Sequence, residues 1–115
     1  ISQGRPTMSN ANSSETIWWV YLLECTSGRI YTGVSPDVVK RVEKHVFGKG
    51  ALFTRLNKPQ RLLTAKPFPS KHEALKVEKQ IKKMPAQGKR LLASVWDSER
   101  EQLGLELPDL QQVLN

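Results

Sequence analysis

The sequence predicts a single α+β domain, and three observations carry that reading. Two short runs of β-branched and aromatic residues within positions 18–33 flank a Cys-Thr-Ser-Gly turn, the pattern of a β-hairpin. A third run at 61–66 reads as another strand and is ended by Pro67 and Pro69. Between and after these strands lie stretches of helical periodicity with cap residues at their starts. The chain has 115 residues, enough for one domain with a tail, and its apolar content of 38% suffices for a core without metal staples.

In chain order, residues 1–16 are polar and rich in Ser and Asn, which predicts a disordered N-terminal tail. Met8 is a candidate native start, with residues 1–7 added ahead of it. The hairpin holds both tyrosines of the chain. Because side chains alternate along a strand, Trp19, Tyr21 and Leu23 share one face, and Arg29, Tyr31 and Gly33 share one face of the next strand. Pairing about the turn can therefore bring both phenols to one side. Gly33 leaves room for a ligand or another backbone to approach.

Ser35, Pro36 and Asp37 predict an N-cap, a first helical residue and a favourable first-turn charge, opening a helix to about Phe47 that Gly48 and Gly50 stop. Val38, Val39, Val42 and Val46 form its apolar stripe, with Arg41 and His45 one turn apart at its border. Residues 48–60 read as a basic loop. Ser70 and Glu73 form a capping box for a second helix to about Met84, closed by Pro85. Its stripe is Ala74, Val77, Ile81 and Met84, and Glu78 falls on the same side. A third helix is expected at 86–102 with Leu91, Leu92, Val95 and Trp96 inward, and a short terminal helix from Pro108. The domain is placed at 17–96, followed by an acidic extension at 97–115.

The net charge is +7, unevenly spread: residues 40–90 hold 15 Lys and Arg against 3 acids, whereas 97–115 hold 1 Arg against 5 acids. A basic body points to a polyanion such as DNA. No apolar run approaches spanning length, which argues against a membrane. The single cysteine, Cys25, rules out an internal disulfide and suits a reducing, cytoplasmic setting.

Five residues could carry chemistry together: Tyr21, Tyr31, Arg41, His45 and Glu78. Each has an ordinary reading. Strand tyrosines usually pack, Arg41 and His45 suit an amphipathic border, and Glu78 can pair with Lys82 at i+4. Glu78 is the least ordinary, because a carboxylate on an apolar stripe is costly unless a cation satisfies it. Phosphodiester cleavage needs all these parts. A hard cation, Mg²⁺ or Mn²⁺, accepts one carboxylate and keeps its waters, which suits Glu78. A guanidinium matches phosphate oxygens, which suits Arg41. A phenol is ionised at about one part in a thousand at neutral pH, so a tyrosine base needs cationic help, and His45 can relay its proton. Lys49, Arg55 and Lys58, in the loop beyond Arg41, are the expected phosphate contacts.

The hairpin resembles that of the GIY-YIG nuclease superfamily. Trp19-Val20-Tyr21 stands where that family has Gly-Ile-Tyr, and Tyr31-Thr32-Gly33 where it has Tyr-Ile-Gly. Arg41, His45 and Glu78 fall at the positions of its helix-borne arginine, nearby histidine and metal-binding glutamate. The loop at 48–55 resembles the short, single-domain branch. The resemblance implies a three-stranded antiparallel sheet flanked by helices, and metal-dependent DNA cleavage with little sequence preference, in repair or recombination. Trp19, Thr32 and Val34 depart from the family pattern, as does the lack of any Asn between Asn57 and Asn115. The alternative on the same fold is a non-catalytic nucleic-acid-binding module. A protein partner for the acidic, leucine-containing tail is a further expectation.

Overall fold

The computed structural model describes residues 16–107 together with Leu110 and Leu114. Strand β1 (Trp18–Cys25) turns through Gly28, whose φ of 88° is open to glycine, into β2 (Ile30–Ser35). Helix α1 (Val38–Val46) and a short helix α2 (Leu52–Leu56) precede strand β3 (Pro59–Phe68). Helices α3 (Lys71–Lys82) and α4 (Ala86–Gln102) follow. The sheet is antiparallel with order β2-β1-β3, so the expected three-stranded α+β architecture is what forms.

The central strand is buried on both faces because helices cover both. Val20 and Leu22 join Ile30, Ala74, Ile81 and Trp96 in an apolar cluster under α3 and α4. Tyr21 and Leu23 join Val38, Val42, Ala65 and Leu110 in a second cluster under α1. Leu107 and Leu114 pack against that second cluster, so these leucines of the acidic extension turn inward with Leu110, whereas Leu103 and Leu105 are exposed. The boundary expected at 96 falls inside α4, which continues unbroken to Gln102. The expected N-terminal tail and most of the expected terminal helix lie outside the described residues.

Several local expectations are corrected. Asp37, not Ser35, caps α1: its carboxylate accepts from Lys40 N at 3.1 Å, while the Ser35 hydroxyl accepts from Asp37 N at 3.0 Å and donates to Asp37 O at 2.9 Å. The turn before the helix therefore takes two more residues than the cap signal suggests. The stretch read as a loop contains α2. Strand β3 runs past its expected end, with Pro67 paired to Trp19, because an edge strand tolerates a residue that cannot donate. Helix α3 stops at Lys82, short of Met84, and its Ser70 cap holds Glu73 N at 3.2 Å. In α4, Leu91 and Val95 are exposed, whereas Ala93 and Trp96 are buried. Thr64 and Asp97, 2.9 Å apart across β3 and α4, help set the rotation that turns Trp96 rather than Leu91 inward.

Candidate active site

Antiparallel register sets Tyr21 opposite Gly33, and Leu23 opposite Tyr31. The two phenol rings lie 6.2 Å apart between centroids on the α1 face of the sheet. The space over Gly33 is filled by them rather than left for a ligand. A Cβ there would stand 2.6 Å from the Tyr21 hydroxyl oxygen and 2.8 Å from a Tyr31 ring carbon. Glycine is thus required at this position to let the rings lean over β2.

Helix α1 brings His45 against the same rings. Its expected place at a helix border is corrected: the side chain is 1% exposed and belongs to the helix's inward face with Val38 and Val42. His45 Nε2 lies 2.9 Å from the Tyr21 hydroxyl, and its ring sits edge-on to Tyr31 at 4.8 Å between centroids. On the far side, Nδ1 lies 2.6 Å from Thr54 Oγ1. Burial, aided by the Arg41 charge, lowers the His45 pKa to about 4, so the ring is neutral near pH 7. Helix α2 also presses Phe53 against Tyr31, at 5.8 Å between centroids. Gly50 backs the imidazole so closely that a Cβ there would collide with it.

Arg41, one turn before His45, interacts with the Tyr21 oxygen. Burial raises the Tyr21 pKa well above that of a free phenol, with Tyr31 and Glu78 adding to the rise and Arg41 opposing it. The Glu78 charge therefore reaches this phenol from α3. Its side chain is 15% exposed and pairs with Lys82 Nζ through Oε2 at 3.4 Å. Tyr21, Tyr31 and His45 therefore touch one another, while Arg41 and Glu78 reach Tyr21 through their charges. Glu78 does so from a helix that packs on the opposite face of the sheet, and in the ordinary pair with Lys82. Among the described residues, no three His, Cys, Asp and Glu side chains group as a metal cage. The donor set is one largely shielded carboxylate, which fits a hard cation that retains its waters and does not fit a zinc-type cluster.

Lys49, Arg55 and Lys58 are all exposed, and none is in an ion pair among the described residues. They lie on the segment that folds over His45. Two features escaped the sequence reading. Thr54 lies nine residues from His45 and outside any expected element, so only the unrecognised α2 could have signalled it. Glu24, at the turn end of β1, binds Arg61 at 3.0 Å and also Arg90, and these two guanidinium groups hold its pKa below the usual carboxylate value.

A hairpin that stacks two tyrosines over a glycine, with an arginine and a histidine one turn apart on the next helix, defines a GIY-YIG domain, and the comparison with known proteins agrees. The GIY-YIG catalytic domain model matches residues 17–90, and the chain belongs to that family. Its relatives place it in the short UPF0213 branch. It is 54% identical to the UPF0213 protein of Cupriavidus pinatubonensis over 72 residues, 63% of this chain and 80% of that one. Identity to the UPF0213 protein of Cupriavidus necator is 47%, over 68% of this chain and 85% of that one. The solution NMR structure of a UPF0213 protein from Bacillus halodurans is 43% identical, covers 69% of this chain and 84% of its own, and superposes with a TM-score of 0.45. The superfamily is one of endonucleases, so nuclease activity is the general expectation for the fold. No helix among the described residues is long and apolar enough to cross a membrane.

Proposed function

We propose that the chain is a metal-dependent endonuclease that hydrolyses DNA phosphodiester bonds with little sequence preference. The observation that carries this reading is the meeting of the Tyr21 hydroxyl with His45, Arg41 and the Glu78 charge in one place. Arg41 grips phosphate oxygens through its planar fork. Tyr21 takes a proton from the attacking water while its own passes to His45 Nε2, and the weak basicity of the buried ring makes it a transient holder. The water oxygen bonds to phosphorus as the bond to the leaving oxygen breaks. Glu78 is the residue assigned to Mg²⁺ or Mn²⁺, which when bound supplies positive charge against the scissile phosphate. Tyr31 packs against His45 and steadies its ring. Lys49, Arg55 and Lys58 hold flanking phosphates.

The Glu78–Lys82 pair favours a second reading, a nucleic-acid-binding module without cleavage. One experiment separates them. Nicking of plasmid and branched DNA is measured with Mg²⁺ or Mn²⁺ for the native chain and Glu78→Gln, with DNA affinity measured in parallel. The enzyme reading expects metal-dependent cleavage that drops at least a hundredfold in the variant at unchanged affinity. Binding without cleavage by the native chain supports the module.

A further inference from the structure

We propose that Thr54 is a positioning residue that locks His45 in the Nδ1–H tautomer, leaving Nε2 as the acceptor for the Tyr21 proton. The inference follows from counting one hydrogen. A threonine hydroxyl has a single proton. Thr54 Oγ1 lies 3.0 Å from the carbonyl oxygen of Ala51, which can only accept and which also takes the Thr54 and Arg55 backbone N–H groups at 3.1 Å each, so the hydroxyl proton has an acceptor there but is not bound to it by that contact alone. The same Oγ1 lies 2.6 Å from His45 Nδ1. The direction is set at the other end. Among the described residues the buried Tyr21 hydroxyl has one hydrogen-bond partner able to accept, His45 Nε2, so its proton goes there. The hydrogen of the neutral ring is then on Nδ1, and the Thr54 proton turns to Ala51 O. Nε2 then has a bare lone pair. The Tyr21 hydroxyl, 2.9 Å away, donates to it. The chain Tyr21 O–H to Nε2, then Nδ1–H to Thr54, then Thr54 O–H to Ala51 O has one direction.

The surroundings leave the ring little freedom to turn over, so each nitrogen keeps its own partner. His45 is 1% exposed and Thr54 2% exposed. Gly50 backs the ring and Tyr31 packs against it in a T-shaped contact. A flip would set a carbon where each hydrogen bond stands, leaving a buried hydroxyl unpaired, which costs on the order of 1–3 kcal/mol. Helix α2 is thus more than a link between α1 and β3. Its hydroxyl fixes which nitrogen faces the phenol, as an outer partner of a histidine commonly does.

The catalytic consequence rests on the proposed nuclease reading, but the tautomer does not, so it is tested without DNA or metal. Ring ¹⁵N shifts of His45 are recorded in histidine-labelled full chain at neutral pH, with His72→Gln identifying the His45 signals. The expected spectrum has a pyrrole-type Nδ1 and a pyridine-type Nε2 in the native chain and in Thr54→Ser. In Thr54→Val, the pattern is expected to shift towards Nε2–H or to average. A native chain with Nε2–H, or a Thr54→Val chain with the native pattern, overturns the proposal. In the nicking assay, Thr54→Val is expected to lose roughly tenfold or more in kcat, with KM unchanged and Thr54→Ser restoring the rate. An unchanged kcat in Thr54→Val overturns the positioning role. Absence of cleavage by the native chain, with the tautomer as expected, overturns the nuclease reading alone.

Discussion

The two faces of strand β1 are built on different terms. Val20 and Leu22 look into a cluster of aliphatic residues and Trp96, where burial is the main organising force and one polar link, Thr64 to Asp97, helps fix α4 against the sheet. One residue along, Tyr21 looks the other way into a cluster of similar burial that contains a hydroxyl, an imidazole and a threonine, each with a partner. Removing such polar atoms from water is tolerable only when their hydrogen bonds are made. The apolar face has the opposite flaw: Thr32 sits there, and its hydroxyl is the one buried side-chain polar atom without a partner among the described residues. A fold needing only a core has no use for the directed chain on the tyrosine face. The two faces therefore differ in that one buries a phenol and an imidazole in contact, and that is the face the proposed nuclease reading uses.

Adjacent residues give the largest contrast. Leu22→Ala is expected to destabilise the domain by about 2–5 kcal/mol, because a fully buried side chain leaves a cavity. Tyr21→Phe removes only a hydroxyl and is expected to cost about 1 kcal/mol in stability. In exchange it should slow cleavage roughly a hundredfold or more. Denaturant melts and nicking rates on both variants check this pair, and equal profiles would erase the distinction between faces.

Acid should affect the tyrosine face first. In the fold His45 takes up a proton only near pH 4, whereas the unfolded chain does so near 6.5. Between those values the unfolded state binds more protons, so stability is fully present above about 6.5 and is lost as pH falls towards 4. Glu24, held low by Arg90 and Arg61, loses its contribution only at still lower pH, below the ordinary carboxylate value of 4.5. Thermal midpoints recorded from pH 7.5 to 4.5 should fall through that first window. A midpoint flat across it would mean that His45 is not held neutral.

The smallest expected effect separates two arginines. Arg55 has no ion-pair partner among the described residues, whereas Arg61 is paired with Glu24 at the far end of the hairpin. Removing Arg55 should reduce the slope of log affinity for DNA against log salt by about one unit. Arg61→Ala should leave it nearly unchanged. Equal slopes for both variants would move the DNA away from the α2 side.

Much of the fold was legible because it is locally encoded. The hairpin follows from β-branched runs around Gly28, α3 from its Ser70–Glu73 box, and α4 was placed at its observed bounds after Pro85. The five candidate site residues were legible through the family pattern, although spacing by itself could not show whether their side chains meet. The misreadings share a cause. Leu91 looked inward because periodicity cannot say which stripe of a helix finds the sheet, and the Thr64–Asp97 contact helps decide it. Gly33 looked like an opening because a sequence does not show which rings will fill it.

By itself the sequence determined most of the segments that become strands and helices and where the charge lies, since these depend on neighbours within a turn or two. The tertiary structure alone decided that His45 is buried, that Glu78 pairs with Lys82 on a helix across the sheet from Tyr21, and that Thr54 meets His45 across a turn of nine residues. Those relations depend on packing distances between elements, and a hydrogen bond formed within 3 Å has no counterpart in spacing along the chain.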